Sequence, residues 1–342
     1  MTVEQSTKIA PPLPRHSRRT IAIGTFLLLL VATGLITYIA FGYMLTRKPI
    51  AALLPLPRIS ALQQTTPPIY AGVISKLAGP MSIAVSPDGE RVYVAESDGE
   101  RVVKVFNPSG NLLQTLSPPN TSAGQRKPMY IAVDKNGRVF VSDRQRPAVH
   151  MYDDKGAWIG VYQPEEAEKD WSPLGLNVQS DGSLIVTNVE GNAHSVLVFA
   201  RNERLIRRIT HPLTGDKLSF PNGAVQDSLG RTYVSDSNNG RLLTFDSTGA
   251  VVGQIESTDA KAGLAMPRGV ALDDDGRLYV ADASSDLVRV FQTGEKLEYL
   301  YSFGSTGVDS GQFRFPNGVT VDSKGRIWVA DWGNNRVQMW RY

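Results

Sequence analysis

From Pro80 onward, the chain repeats one pattern of hydrophobic and polar positions six times. Each segment starts with Pro, continues with a short apolar run and carries Gly nine residues after the Pro, where a second apolar run begins. The spacing between successive segments varies only from 45 to 49 residues, and the segments start at Pro80, Pro128, Pro173, Pro221, Pro267 and Pro316. Runs of four to six residues, rich in β-branched and aromatic side chains and bounded by Gly, Asn, Asp or Ser, predict β-strands.

Two further runs complete each segment. A third run ends on an aromatic residue, at Phe106, Tyr152, Phe199, Phe245, Phe291 and Trp340. A fourth follows in five segments, at Leu112–Leu116, Trp158–Tyr162, Leu205–Ile209, Val251–Ile255 and 297–303. Four strands per unit with this period predict an all-β fold, a six-bladed β-propeller. The last segment stops after its third strand, so we expect Tyr70–Leu77 to supply the missing strand and close the ring.

The first 69 residues have a different character. Ile21 to Leu45 is a run of 25 residues without a charge, about 37 Å as a helix, and a hydrocarbon core is about 30 Å thick. This length favours an uncleaved signal-anchor over a cleaved signal peptide. The sequence thus predicts a short cytoplasmic tail (residues 1–20), a transmembrane helix (21–45), a Pro-rich stalk (46–69) and the propeller (70–342). Cationic residues before the span favour a cytoplasmic N-terminus and an extracytoplasmic propeller in a single-pass membrane protein.

Charge and composition exclude some functions. The net charge is +3, but the first 58 residues hold seven Lys and Arg against one Glu, which leaves −3 for the other 284 residues. A mildly acidic propeller lacks the basic surface that nucleic acids require. The chain has no Cys, which excludes disulfides, thiol nucleophiles and thiolate metal sites.

The repeat has the consensus Pro-x-Gly-Val-x-Val-Asp-x-x-Gly-Arg-x-x-Val-Ala-Asp, followed by Asn-x-Arg-Val-x-x-Trp, as residues 316–340 show it. This pattern resembles the NHL repeat, and the resemblance covers residues 70–342. It implies a six-bladed propeller that serves as a platform for proteins, RNA or ligands and sometimes as an enzyme. The fold itself does not choose among these functions.

Candidate binding residues lie on the face of the propeller formed by the long fourth-to-first strand connections, called the long-loop face below. Variable loops on a rigid scaffold commonly carry binding residues, and Arg and Trp are typical interface anchors. The candidates on this face are Arg144, Arg146, Trp171, Arg268 and Trp332. The residue after each Pro is expected to form a ring at the channel mouth, comprising Met81, Met129, Leu174, Asn222, Arg268 and Asn317.

A metal site is the alternative. Asn222 and Asn317 both occur as Pro-Asn-Gly, which resembles the motif that holds a divalent cation in gluconolactonase-like hydrolases, and oxygen ligands suit Ca²⁺. The ring contains no acidic residue, however. His150, His194 and His211 fall in different blades and at different structural positions, so the three-His Zn²⁺ site of amidating lyases is not supported.

Two further polar features favour structural roles. An acid ends the second strand in five blades, with an amide in the third, and we expect this set to cap loop amides or pair with an Arg: Glu96, Asp143, Asn188, Asp236, Asp282 and Asp331. Asn177 and Gln226 interrupt the apolar inner strands, either lining the channel or hydrogen-bonding between blades.

The function predicted from the sequence is a membrane-anchored, extracytoplasmic scaffold, or a subunit of an envelope complex, that binds a protein or peptide without a cofactor. The alternative is a metal-dependent hydrolase or lyase at the channel mouth that uses Ca²⁺ or Zn²⁺. The sequence leaves the oligomeric state open.

Overall fold

A computed structural model describes residues 33–34, 37–38, 66–164, 171–191, 194–210 and 216–342. Residues 66–342 form six four-stranded antiparallel sheets arranged as the blades of a propeller. The strands described, in chain order, are β1 (Ile69–Ile74), β2 (Pro80–Val85), β3 (Val92–Glu96), β4 (Val103–Phe106), β5 (Leu112–Leu116), β6 (Pro128–Val133), β7 (Val139–Asp143), β8 (Ala148–Tyr152), β9 (Trp158–Tyr162), β10 (Pro173–Val178), β11 (Leu184–Asn188), β12 (Ser195–Phe199), β13 (Leu205–Ile209), β14 (Pro221–Gln226), β15 (Thr232–Asp236), β16 (Arg241–Phe245), β17 (Val251–Ile255), β18 (Pro267–Leu272), β19 (Arg277–Asp282), β20 (Leu287–Gln292), β21 (Glu298–Phe303), β22 (Pro316–Val321), β23 (Ile327–Asp331) and β24 (Arg336–Arg341).

The N-terminal strand closes the ring, as the sequence predicts. Strand β1 pairs with β24 and completes the blade formed by β22, β23 and β24. It begins one residue earlier and ends three residues earlier than expected. The backbone of Lys76 adopts a positive φ of 62°, which ends the extended run, and Leu77 N then donates to the Asn335 carbonyl at 3.2 Å.

Short glycine turns form the face opposite the long-loop face, called the turn face below. Gly89, Gly137 and Gly276 have φ between 73° and 84°, the left-handed conformation that glycine adopts without a steric cost. Asp134 shows how these turns are fixed, since its Oδ1 accepts from the amides of Asn136 and Arg138, each at 2.9 Å. The Asp-Gly and Asn-Gly pairs of the sequence therefore form the predicted turns.

The inner strands approach each other closely around the channel. A Cβ on Gly175 would lie 2.2 Å from the Asn222 carbonyl oxygen, and one on Gly318 would lie 2.9 Å from the Met81 carbonyl oxygen. Glycine at the second position after Pro therefore lets one inner strand pack against the next blade. In the second blade this position is Tyr130, and its side chain is available to fill space below the channel mouth.

Apolar side chains fill the space between neighbouring blades. Tyr93 and Val105 of the first blade pack in one cluster with Ile131 and Val141 of the second, and all four are buried. The blades are thus held by hydrophobic packing between sheets, as well as by the hydrogen bonds within each sheet. This rigid ring positions the loops of the long-loop face.

The N-terminal predictions fall almost entirely on residues that are not described. The tail 1–20, most of the predicted span 21–45 and stalk residues 46–65 lie outside the described ranges, whereas Thr33, Gly34, Thr37 and Tyr38 are helical. Within the described ranges, no helix has the length and apolar composition needed to cross a bilayer.

Candidate functional site

The residues that follow the six prolines lie at the beginning of the inner strands, where the channel meets the long-loop face. Four of the ring residues predicted from the sequence are buried, namely Met81, Leu174, Asn222 and Asn317. Met129 and Arg268 are half-buried. The mouth is therefore a packed layer with one charged side chain in it.

Three side chains from three blades meet at the mouth. Arg268 Nη1 donates to Asn222 Oδ1 at 3.3 Å, and the Tyr130 hydroxyl donates to the same oxygen at 3.4 Å. Burial raises the pKa of Tyr130 far above its ordinary value, which the nearby Arg268 opposes. The phenol therefore stays protonated and acts as a donor at neutral pH. This cluster bridges the second, fourth and fifth blades across the mouth.

A second bridge joins the first and last blades. Asn317 Nδ2 donates to the sulfur of Met81 at 3.1 Å. Asn317 Oδ1 is buried and has no hydrogen-bond partner among the described residues. It is the side-chain oxygen at the mouth that could still accept a bond.

Below the mouth, the inner strands enclose a cavity of about 220 Å³. Its walls are formed by residues from all six inner strands, beginning with Ser82 and Tyr130 and including Asn177, Gly223, Gly269 and Gly318. None of the six ring residues lines it. Side chains of the mouth thus separate the channel cavity from the long-loop face.

Phe220 forms the first of two aromatic platforms beside the mouth. It precedes Pro221, has a positive φ of 55°, and donates its amide to His194 Nδ1 at 2.9 Å. Arg144 lies over its ring, with the guanidinium carbon 5.7 Å from the ring centre. Arg144 also donates to Ser172 Oγ at 2.7 Å. His194 is thereby used as a hydrogen-bond acceptor for the backbone.

Phe315 repeats this arrangement two blades further on. It precedes Pro316, has a φ of 53° and donates its amide to Asp286 Oδ1 at 2.7 Å. Arg268 lies over one side of its ring at 5.7 Å, and the ring centre of Trp332 is 5.8 Å away. Trp332 remains 38% exposed. Arg268, Phe315 and Trp332 therefore form one continuous surface from the mouth outward.

The remaining predicted binding residues occupy different environments. Trp171 is half-buried and packs against Phe199 at 6.0 Å within a core cluster, so its ring supports the third blade. Arg146 is exposed. The structure brings Arg268 and Trp332 together through Phe315, and it places Arg144 on the Phe220 platform.

The residues that end the second strands have a shared structural role. Each accepts a hydrogen bond from a backbone amide just before the Pro of its own blade, as Asp331 Oδ1 does from Arg314 N at 2.8 Å and Asn188 Oδ1 does from Ser172 N at 2.6 Å. Four of the acids also form ion pairs, between Glu96 and Lys104, Asp236 and Arg241, Asp282 and Arg289, and Asp331 and Arg336. These carboxylates are therefore engaged in holding loops, as expected.

The polar residues of the inner strands lie towards the turn face. Asn177 lines both the channel cavity and a second cavity of about 520 Å³, and Gln226 lines the second cavity. Gln226 Nε2 donates to the Gly230 carbonyl at 3.0 Å and to Thr232 Oγ1 at 3.2 Å, both in its own blade. Asn177 therefore lines the channel, while Gln226 hydrogen-bonds within its blade and not to a neighbouring one.

The residues at the mouth do not fit a divalent cation. Asn222 Oδ1 already accepts from Tyr130 and Arg268, and the guanidinium of Arg268 would repel a second positive charge at that oxygen. Across the described ranges, no group of three or more His, Asp or Glu side chains is arranged to hold a metal ion. His150 and His194 lie apart in separate blades, and His211 is outside the described residues.

Three residues of the mouth were not singled out from the sequence, namely Tyr130, Phe220 and Phe315. Their signals are present nevertheless. Tyr130 stands where four blades have Gly, and Phe220 and Phe315 both open a Phe-Pro-Asn-Gly motif. Their roles depend on side chains from other blades, which no single repeat reveals.

Comparison with known sequences identifies the family. Residues 133–342 match the SMP-30/Gluconolactonase/LRE-like region. The chain belongs to this family. The match begins at the last residue of β6 and continues through the sixth blade. Among curated proteins, no sequence matches this chain.

Solved structures agree on the fold. A streptogramin B lyase is 15% identical, with a TM-score of 0.56 over 80% of this chain and 96% of that one. A Bacteroides thetaiotaomicron protein of unknown function is 16% identical, with a TM-score of 0.62 over 80% and 72%. The RRP9 WD40 repeats are 13% identical, with a TM-score of 0.54 over 80% and 99%. Such low identities show the propeller fold alone.

Proposed function

We propose that this protein is a membrane-anchored, extracytoplasmic binding module whose long-loop face holds a protein or peptide partner. The surface formed by Arg268, Phe315 and Trp332 carries this proposal. It combines a half-buried cation with two aromatic rings next to the axis of a rigid scaffold. Arg and Trp are the side chains most enriched among residues that dominate binding energies.

The uncharged run 21–45 supports attachment to the membrane, and the cationic residues before it support an extracytoplasmic propeller. The tail of about 20 residues in front of the span is too short for a catalytic domain. Any signal would therefore pass through the partner. The partner would be a component of the cell envelope, and the propeller would act as a scaffold or subunit there.

The test is crosslinked co-purification of the full-length protein from its native membranes. Trp332→Ala removes an exposed ring from the surface, and Trp158→Ala is a matched control because Trp158 is 40% exposed on the outer strand of the second blade. Trp171 is unsuitable, since its truncation would leave a defect in core packing. A stoichiometric partner lost only in Trp332→Ala supports the proposal, and recovery of the propeller alone contradicts it.

An enzymatic function is the second candidate, favoured by membership of a family that includes gluconolactonase-like proteins. It would be a metal-dependent hydrolysis or elimination at the mouth with Ca²⁺ or Zn²⁺ on Asn222 and Asn317. The engaged oxygen of Asn222 argues against this donor set. Metal analysis of protein purified without chelators tests it: a stoichiometric divalent ion that Asn317→Ala removes would support the enzyme.

A further inference from the structure

We propose that the mouth recognises a carboxylate of an acidic peptide segment, with Arg268 as its receptor. This inference rests on the binding function proposed above and names the chemistry of the partner. It starts from a difference among the arginines of the propeller. Many of them are neutralised at once, as Arg231 is by Asp227 at 2.6 Å and Arg336 is by Asp331 at 2.7 Å.

Arg268 has no such neutralising partner. Its contacts with described residues are a neutral amide oxygen at 3.3 Å, the sulfur of Met266 at 3.2 Å and the ring of Phe315. Its Nε is buried and has no hydrogen-bond partner among those residues. No carboxylate of the described ranges lies within ion-pair distance of it. A half-buried guanidinium with five donors therefore makes only weak bonds.

Such an arrangement is costly for the protein alone. Burying an ion without a paired opposite charge is unfavourable, and supplying that charge relieves the penalty. A carboxylate satisfies a guanidinium through two parallel, charge-assisted bonds. Asp286, the acid nearest to Phe315 in the hydrogen-bond network, is already engaged by the Phe315 amide. The missing charge must then come from outside these residues.

The backbone around the platforms is shaped for this purpose. Phe220 and Phe315 both adopt positive φ values, a conformation that costs a bulky residue about 1–3 kcal/mol and that is found at functional sites. Each platform carries an arginine, Arg144 on Phe220 and Arg268 on Phe315. Among the described residues, Arg144 likewise forms no ion pair. Two cations held on rings on the same face suit a segment with more than one acidic side chain.

A peptide fits better than a nucleic acid. The propeller is acidic in total and would repel a polyanion, whereas two arginines can accept one or two carboxylates locally. The adjoining rings of Phe315 and Trp332 supply apolar contact area for the neighbouring residues of a peptide. The anionic ligand is thus short, carboxylate-bearing and protein-derived.

The experiment measures fluorescence anisotropy with the full-length protein in detergent. The probes are a labelled dodecapeptide of alternating Glu and Ser, the same peptide with Gln for Glu, and an oligothymidylate of similar length. We expect the Glu peptide to bind at least 10-fold more tightly than the Gln peptide, and more weakly as salt is added. Equal binding of the two peptides, or tighter binding of the oligothymidylate, would overturn the proposal.

Substitutions locate the effect. Arg268→Gln should weaken binding of the Glu peptide at least 10-fold, and Arg268→Lys should restore only part of the loss because an ammonium cannot bind bidentately. Arg208→Gln is the matched control, since Arg208 is exposed on the outer strand β13. An equal loss in Arg208→Gln would mean nonspecific charge attraction and would overturn the assignment.

The two proposals fail differently. A partner that co-purifies from membranes but binds independently of Arg268 leaves the scaffold function standing and overturns the carboxylate receptor. Specific binding of the Glu peptide with no partner in native membranes does the opposite.

Discussion

The guanidinium carbon of Arg268 lies 5.7 Å from the ring centre of Phe315. The same distance separates Arg144 from Phe220 two blades earlier. Two Phe-Pro-Asn-Gly motifs thus hold an arginine beside the channel mouth in the same way. The arginines of this face are placed by the repeat itself, through the phenylalanine that precedes Pro.

Phe315 should therefore act as a positioning residue for Arg268. A cation–π contact at a partly exposed site contributes about 0.5–1 kcal/mol. Phe315→Leu should weaken binding of the Glu peptide about 2- to 5-fold, whereas Phe315→Tyr, which keeps the ring, should restore it. Anisotropy titrations beside thermal melts check this. A loss of affinity in Phe315→Tyr equal to that in Phe315→Leu would argue against stacking.

The strand-end acids should matter for stability. Asp331 is fully buried and accepts from Arg314 N, Arg336 and Gln338. Asp331→Ala leaves a charge and several donors unpaired, and should cost about 3–5 kcal/mol. Asp331→Asn should cost less, about 1–3 kcal/mol, because an amide oxygen can cap the loop as Asn188 does in the third blade. Urea unfolding of the two variants compares them, and an equal cost would disprove the capping role.

Close contact between inner strands predicts a strict requirement for glycine. Gly175→Ala would place a Cβ 2.2 Å from the Asn222 carbonyl oxygen, so the backbone must shift, at about 1–3 kcal/mol. Gly124→Ala is the control, because no atom lies within 4 Å of its Cβ position. It should change stability by less than about 0.5 kcal/mol. Similar melting temperatures for the two variants would contradict the packing described.

His150 should give the propeller a pH dependence. Burial lowers the pKa of His150, and Asp143 opposes this only in part. As the pH falls below about 6.5, the ordinary His value, the unfolded chain takes up the proton first and stability is lost. The loss stops once the folded state is also protonated. The difference in stability between wild type and His150→Gln should shrink from pH 7.5 to pH 5; a constant difference would show that His150 does not titrate as described.

Ring closure predicts that removing β1 is severe. Deletion of residues 1–74 exposes the hydrogen-bonding edge of β24 and removes the contact of Tyr70 with Trp340. Deletion of residues 1–65 is the control, since it keeps the strand. We expect cooperative thermal unfolding in the shorter deletion and aggregation or noncooperative melting in the longer one. Two equally cooperative transitions would show that closure is dispensable.

The fold could be predicted from sequence because each blade repeats the same local signals. Gly276 makes its turn from its own Asp-Gly pair, and Val251–Ile255 forms a strand as its alternation indicates. The mouth could be predicted only in part. The position of Asn222 follows from the repeat, but the Tyr130 hydroxyl that reaches it comes from a blade 92 residues away in sequence. Contacts across the channel depend on tertiary geometry, which the repeat alone does not encode.

The central claim is that the partner lies on the surface formed by Arg268, Phe315 and Trp332. A photocrosslinking amino acid at position 332 of the full-length protein, irradiated in native membranes, tests this directly. Position 158 provides the matched control on the outer edge. The account predicts a discrete adduct from position 332 and none from position 158. No adduct from 332, or the same adduct from both positions, would contradict it.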